Sequence, residues 1–229
     1  MPKLSVIVPV YNEAKTVKQI LEKINCVSID KEIIVVDDCS KDGTQNILQD
    51  ILKKPEFNCL KVVYHSFNKG KGESVIDGIN QSTGRFVVIQ DADLEYDPNE
   101  YMNLLKPLLE ARADLVLGVR FTKGHTGLKL HRLGNKFLTA FLNFLFGSHL
   151  NDYLTCYKMA SREVFTALQL KSRGFDIEAE IVSKALRKHF RIEEVPISYY
   201  PRSHSEGKKI RWFDGVQQIK IILKYRFLG

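Results

Sequence analysis

The sequence has few cysteines, no long hydrophobic run and no phosphate-cradling glycine loop, and each shortage narrows what the chain can be. Its four cysteines, Cys26, Cys39, Cys59 and Cys156, show no metal-site or redox spacing. No secretory leader is visible, so they are expected to be reduced thiols of a cytoplasmic protein. No apolar run nears the ~18 residues that cross a bilayer, and the longest, 137–146, is broken by Thr139 and Asn143. No P-loop is present, and Gly70-Lys71-Gly72 lacks the third glycine of a dinucleotide fingerprint. Neither a Gly-x-Ser-x-Gly elbow nor a Cys/His pair points to acyl transfer. His65 and His189 have no partner at ligand spacing and read as structural or solvated.

What is present is an ordinary apolar fraction, enough for one large domain of 229 residues, and an uneven charge. The net charge is +7. Residues 1–115 carry 14 basic against 18 acidic side chains, and 116–229 carry 20 against 9. Such asymmetry suggests that the second half meets something anionic: a phosphorylated substrate, a phospholipid surface or nucleic acid. The basic residues follow no nucleic-acid module, and nucleic acid ranks last.

Apolar runs at 4–10, 31–38, 59–64, 86–89 and 114–119 read as strands, each followed by a helical pattern except the last. Strands apolar on both faces, alternating with helices, imply a mostly parallel sheet with helices on both faces. After Arg120 the rhythm changes. A polar loop at 121–127 precedes a helix at 129–150 whose wide apolar face suits either the core or a lipid surface. A strand at 154–159, helices at 163–170 and 176–188, and an edge-type strand at 191–200 follow. The chain ends in a polar loop (201–209) and a basic, tryptophan-led amphipathic helix from 212.

The stretch RFVVIQDADLEYDP (85–98) is the centre of this pattern. It turns from a buried strand into carboxylates at every second position, Asp91, Asp93, Glu95 and Asp97. If the backbone stayed extended past Gln90, these would share one side. Such a cluster suits a hard divalent cation, Mg²⁺ or Mn²⁺, that keeps places open for phosphate oxygens. The plainer alternative is a solvated acidic turn with Asp97-Pro98 capping the next helix. Glu13 follows the first strand and Asp37-Asp38 the second, so three acidic strand ends fall on one rim, where open α/β sheets collect ligands. Carboxylates there can accept from ribose hydroxyls or base N–H groups while the later pair holds a metal on a diphosphate.

Several motifs resemble the inverting GT-A glycosyltransferases of family 2: 8–13 (VPVYNE), 35–44 (VVDDCSKDGT) and Asp91-Ala92-Asp93. Others are similar to the dolichol/polyprenyl-phosphate sugar transferase branch: Asn68-x-Gly70-Lys71-Gly72, Gly118-x-Arg120-Phe121, 152–158 (DYLTCYK), Gly174-Phe175-x-Ile177-Glu178 and 201–210 (PRSHSEGKKI). The resemblance covers essentially the whole chain. It implies a GT-A domain over 1–211, made of a nucleotide-sugar half (1–119) and an acceptor half (120–211) with helix 129–150 interfacial. An amphipathic helix would occupy 212–229. It implies that Pro9, Tyr11, Asn12, Glu13, Val36, Asp38, Ser40, Lys71 and Asp91 serve a GDP- or UDP-sugar donor. Asp91 and Asp93 would hold the metal, with Glu95 a third candidate ligand where relatives often have Gln. Arg120, Arg132, Arg202 and Lys208 would face the acceptor phosphate or the donor diphosphate. Many relatives continue into transmembrane helices. This chain stops at Gly229, so membrane contact is expected to be peripheral on a cytoplasmic face, through a partner subunit, or lost by truncation.

The expected reaction is attack of a polyprenyl or dolichyl monophosphate on the anomeric carbon of the donor sugar. A phosphate monoester is already largely a dianion at neutral pH, since its second pKa is about 6. It needs cations to hold it, with Asp93 and Arg120 serving the transfer. Asp152 is the candidate base if the acceptor is a hydroxyl, or else a cap or partner of Lys158. A transferase to a saccharide or protein hydroxyl, a nucleotidyltransferase and a non-catalytic nucleotide-sugar or nucleic-acid binding module are the competing readings. The nucleotidyltransferase lacks its usual basic glycine loop near the first strand.

Overall fold

The computed structural model describes residues 3–120, 129–202 and 212–228, with the side chains of 129–132 and 212–214 outside it. Expectations about the 121–127 and 203–209 loops, Lys208, a surface pair of Arg202 with Glu206, and the Arg132 and Trp212 side chains lie outside the described residues.

The β-branched runs become the middle of one sheet. Strands β1 (Leu4–Val10), β2 (Lys31–Asp37), β3 (Leu60–Tyr64), β4 (Phe86–Ile89), β5 (Leu115–Val119), β6 (Lys158–Ser161) and β7 (Ile192–Pro196) pair in the order β3-β2-β1-β4-β6-β5-β7. β1, β4 and β5 are buried along almost their whole length, as is β2 beyond its first residue, which demands cover on both faces. β7, half buried, forms an edge as its alternation suggests.

One strand departs from expectation. The apolar run 154–159 is not itself the strand; β6 begins at Lys158 and runs antiparallel to both β4 and β5. Tyr153, Cys156 and Tyr157 are buried as an aromatic plug ahead of it, which explains why they mimic a strand in sequence. The reversal matters for function. Because β6 points the other way, the residues that lead into it arrive at the rim where the parallel strands end.

Helices α1 (Val17–Cys26), α2 (Thr44–Leu52), α3 (Lys71–Gln81) and α4 (Tyr101–Leu109) follow the first four strands, and α6 (Arg162–Leu168) and α7 (Ile177–Arg187) follow β6. The apolar side chains Val17, Ile20, Leu21 and Ile24 of α1 are all buried, as helical spacing requires. Gly78 lets α3 lie close on the sheet, since a Cβ there would stand 2.3 Å from Ile7.

α5 (Lys129–Phe146) and α8 (Trp212–Phe227) divide their apolar residues between two environments. In α5, Leu142 is buried and Leu138, Phe141, Leu145 and Phe146 pack on the core, but Phe144 is 85 % exposed and Leu133 and Phe137 over 60 %. α8 lies against α7 and α5 through Gln218, Ile222 and Tyr225. It is pinned by Tyr225 Oη donating to Glu180 Oε1 (2.7 Å) and Gln218 Nε2 to the Phe175 carbonyl (2.7 Å). No helix among the described residues is long and apolar enough to cross a membrane.

At the opposite end of the sheet, buried Glu32 ties three strands together. It accepts from Ser5 Oγ (2.7 Å), Thr83 N (2.6 Å), Gly84 N (3.1 Å) and Lys61 Nζ (2.9 Å). Burial opposes its charge, yet these donors hold the carboxyl down at about 2. A depressed carboxyl stabilises the fold above the ordinary carboxylate range and loses that contribution as pH falls towards 2. Glu32→Gln is therefore expected to lose about 1–3 kcal/mol at pH 7. It should also flatten the fall in stability between pH 4.5 and 2, as read by denaturant unfolding.

Candidate active site

The site is assembled on the rim where β1, β2 and β4 end side by side, in parallel register. Behind β1, residues 11–14 form a tight turn with Asn12 in the left-handed region (φ 51°). The segment after β2 holds that turn from beside. Asn12 N donates to Ser40 Oγ (2.8 Å), Glu13 N to Thr44 Oγ1 (3.0 Å), Ala14 N to Asp42 Oδ2 (3.0 Å), and Lys41 N to Asn12 Oδ1 (2.8 Å). Asn12 and Ser40 thus shape the turn that presents Tyr11 and Glu13. Pro9 lies within β1, and Val36 is fully buried under α3, where Gly78 sits over its side chain. Any contact from Val36 to a ligand falls to its backbone.

Asp38 is almost fully buried and is a hub. It accepts from His65 Nδ1 (2.7 Å) and from the Lys69 (2.7 Å) and Gly70 (2.8 Å) amides. A carboxylate has about four acceptor positions, so these three donors leave about one over. His65 is held from its other nitrogen by Asp77 Oδ2 (2.9 Å), which also takes Lys69 Nζ (3.1 Å). His65 is structural, as its isolation in sequence suggested, but it anchors a site residue, which sequence spacing does not reveal. Its neighbour Asp37 is fully buried, and its Oδ1 has no hydrogen-bond partner among the described residues.

The turn held by Asp38 delivers Lys71 to the first turn of α3. Gly70 takes φ 97°, and a Cβ there would stand 2.3 Å from the Arg173 carbonyl oxygen, so only glycine fits. Lys71 Nζ then reaches Asp91 Oδ1 (2.8 Å) and Glu178 Oε1 (3.1 Å).

The acidic stretch does not stay extended. β4 stops at Ile89, the chain turns, and Leu94 adopts φ 65°, so the period-two argument fails beyond Gln90. The carboxylates are brought together by cations instead. Arg202, beyond β7, places Nη1 3.1 Å from Glu13 Oε2 and Nη2 3.1 Å from Asp93 Oδ2. Arg202 Nε is buried with no acceptor among the described residues. Glu95 faces the same arm: Oε1 accepts from Arg202 N (2.9 Å) and Oε2 from Tyr199 Oη (2.9 Å). Both its oxygens thus brace the 199–202 segment. Asp97 caps the turn at 98–100 by accepting from Asn99 N (3.0 Å), as the plainer alternative expected of that one residue.

Burial opposes charge at Asp91, but the Lys71 ammonium wins and holds its carboxyl below the usual range. At Asp93 burial and then the Asp91 and Glu95 carboxylates push the pKa up to about 7, against the pull of Arg202. Among the described residues, no three His, Cys, Asp or Glu side chains converge to hold a metal unaided. Asp91 and Asp93 do fit a divalent ion that shares its ligands with a phosphate. They are hard oxygen donors, and the raised Asp93 carboxyl marks a surplus of negative charge.

On the other side of the rim, Arg120 and Asp152 form a buried two-pronged pair, Nε to Oδ2 (2.7 Å) and Nη2 to Oδ1 (2.8 Å). Asp152 is therefore neither the partner of Lys158 nor an open carboxylate. Lys158 pairs with Glu178 instead. Tyr96 packs at a tilt against Tyr157 (4.8 Å) and Tyr199 (5.5 Å), and the Arg120 guanidinium lies over the Tyr199 ring (5.3 Å). Gln90 Oε1 accepts from both Tyr101 Oη (2.7 Å) and Tyr157 Oη (2.6 Å).

A mostly parallel seven-stranded sheet with carboxylates from three strand ends on one rim has the architecture of the GT-A transferases that use nucleotide sugars. The sequence profile of glycosyl transferase family 2 matches residues 5–168, and the chain belongs to that family. Among curated relatives, the glycosyltransferase AglJ of Haloferax volcanii is 30 % identical over 200 residues, covering 86 % of this chain and 63 % of that protein. The low-salt glycan biosynthesis hexosyltransferase Agl6 of the same organism is 28 % identical (97 % and 53 % covered). The dolichol-phosphate mannosyltransferase of Pyrococcus furiosus is also 28 % identical (90 % and 59 %). The chain thus spans less than two thirds of the length of each. The last of them agrees with the resemblance to the polyprenyl-phosphate branch. Mycobacterium tuberculosis glucosyl-3-phosphoglycerate synthase, crystallised with Mn²⁺, UDP and phosphoglyceric acid, shares the fold at TM-score 0.76 and 23 % identity. The match covers 100 % of this chain and 80 % of that one.

A carboxyl whose pKa is raised by folding weakens the fold as pH climbs through the interval between its unfolded and folded values. Without metal, Asp93→Asn is expected to be more stable than the parent at pH 8, by about 1–2 kcal/mol. The gain should vanish near pH 4. Equal melting curves for both proteins at pH 8 would contradict the crowding of charge at this carboxylate.

Proposed function

We propose that the chain transfers a hexose from a GDP- or UDP-sugar to a polyprenyl-type monophosphate, with inversion at the anomeric carbon. The observation that carries the acceptor class is the Arg120–Asp152 pair. Asp152, the carboxylate best placed in sequence to serve as a general base, is 1 % exposed and gripped on both oxygens. A hydroxyl acceptor needs a base in the transition state; a phosphate dianion does not. In the proposed reaction an acceptor phosphate oxygen forms the new bond to the anomeric carbon. The bond from that carbon to the donor diphosphate breaks, and the nucleoside diphosphate leaves with the electron pair.

The residues take roles by position. Tyr11, Glu13 and the remaining acceptor position of Asp38 receive the nucleoside. Asp91 and Asp93 hold Mg²⁺ or Mn²⁺, which supplies charge neutralisation at the diphosphate. Lys71 and Arg202 add positive charge where negative charge grows on the leaving group. Arg120, fixed by Asp152, faces the acceptor half; Arg132 and Lys208 are assigned to the acceptor phosphate by resemblance alone.

The direct test incubates the chain with Mn²⁺ or Mg²⁺, a panel of nucleotide sugars and a short polyprenyl phosphate, read by mass spectrometry. A prenyl phosphohexose is the expected product. Transfer only to a saccharide or peptide hydroxyl would overturn the acceptor assignment. Arg202→Lys keeps the charge but loses the planar fork, and is expected to lower kcat/KM about 10–100-fold, roughly 1.4–2.7 kcal/mol of transition-state stabilisation.

The same reading places the enzyme at a membrane surface, where such an acceptor resides. Exposed Leu133, Phe137 and Phe144 on α5, and Leu223 and Phe227 beside Lys224 and Arg226 on α8, have the composition of an interfacial patch. Anionic vesicles should bind the chain at low salt and release it as salt rises, because surface charges are screened over about 8 Å at physiological ionic strength. Phe137→Ser/Phe144→Ser should weaken that binding several-fold in a sedimentation assay. Binding by neither protein at low salt would rule the patch out as a membrane contact.

A further inference from the structure

Behind the acidic rim lies a buried ion pair, Lys158 with Glu178, to which the proposed reaction assigns no role. Lys158, the first residue of β6, is fully buried, and its ammonium donates to the Thr155 carbonyl and to Glu178 Oε2. Glu178, in the first turn of α7, is itself only 5 % exposed, and its other oxygen accepts from Lys71 Nζ at 3.1 Å. Lys71 Nζ continues to Asp91 at 2.8 Å. Four side chains from β6, α7, α3 and the end of β4 therefore form an unbroken alternation of charge, from the core to the cleft.

We propose that Lys158 and Glu178 are positioning residues that hold the Lys71 ammonium at the edge of the cleft, where the donor diphosphate binds. The inference deepens the reading above and rests on it. A lysine side chain is flexible and loses much rotamer freedom when fixed. Lys71 is fixed twice. Its backbone is set by Asp38, which accepts the amides of Lys69 and Gly70, and by Gly72 N donating to the Arg173 carbonyl (2.8 Å). Its ammonium is set by Glu178. Lys158 in turn satisfies the oxygen of Glu178 that Lys71 does not reach, so the carboxylate is held in one orientation. Buried ion pairs with no further duty can often be exchanged for apolar or neutral groups without loss of stability. This one ends on a carboxylate of the cleft, so its exchange should be felt by the ligand.

The test separates diphosphate binding from nucleoside binding. In Lys158→Met/Glu178→Gln one buried cation and one buried anion are removed together, so charge balance is kept and the melting temperature should stay within a few degrees of the parent. Calorimetry with Mn²⁺ should show affinity for UDP or GDP falling at least tenfold, while uridine or guanosine binds within about twofold of the parent. Glu178→Asp keeps every charge but is one methylene short, and should show the same selective loss if the double variant does not fold. A parent that binds the diphosphates and variants that match it would overturn the relay alone. Equal losses for nucleoside and diphosphate would reduce it to a structural pair. A parent that binds neither diphosphate would overturn the reading of the site, and the relay with it.

Discussion

Carboxylates gathered at the end of a sheet repel one another, and in a partly buried cleft water screens that repulsion poorly. Glu13, Asp91, Asp93 and Glu95 meet under this constraint, and the architecture around them answers it. Arg202 bridges Glu13 and Asp93 across a sequence separation of nearly the whole chain. Lys71 covers Asp91. Glu95 avoids the problem by accepting from an amide and a tyrosine. The relief is incomplete: Asp93 still has its carboxyl pushed up to about 7. A fold that keeps such strain at its rim is less stable than it could be, which is the usual signature of a binding site.

The constraint also explains why the second half of the chain is basic. In sequence the surplus of lysine and arginine reads as a surface for an anionic partner. Part of it has an internal task. Arg202 neutralises acids of the first half, and Lys158, through Glu178, steadies the cation on Asp91. The antiparallel strand β6 makes this possible. Had it run parallel, Asp152 and the 153–157 segment would lie at the far end of the sheet, and Lys158 would point away from Glu178.

The parallel core was legible because buried parallel strands are apolar at every position, a pattern with few competing explanations. The direction and start of β6 were not legible. Four residues, KMAS, carry almost no period, and the buried Tyr153, Cys156 and Tyr157 before them look more like a strand than the strand does. Within the site, residue types were readable and their partners were not. Asp91, Asp93 and Arg202 were recognisable candidates, but the two-residue period is spoiled by a left-handed turn at Leu94, a residue type that rarely adopts it. Glu178 stood in a quoted motif without a role, since nothing local to α7 says that it faces Lys71. Asp152 shows the same limit. Its partner Arg120 is 32 residues away, with α5 between them.

Charge arithmetic then bears on the order in which ligands enter. Around the rim, Lys71 and Arg202 stand against Glu13, Asp91, Asp93 and Glu95. Against the described residues alone, a bare nucleoside diphosphate would add more negative charge to a place with more acids than cations, and its approach would be opposed. Asp91 and Asp93 would hold a divalent ion the better the more fully they are ionised, and its charge would offset theirs. On the proposed reading, donor and metal therefore enter together or metal first. Arg202 would then share with the metal the task of neutralising Asp93, and its guanidinium could turn to a phosphate oxygen. The cation that bridges Glu13 and Asp93 would thus also stabilise the departing diphosphate. Such sharing gives a physical reason for building the rim from more acids than bases among the described residues, rather than from pairs that cancel.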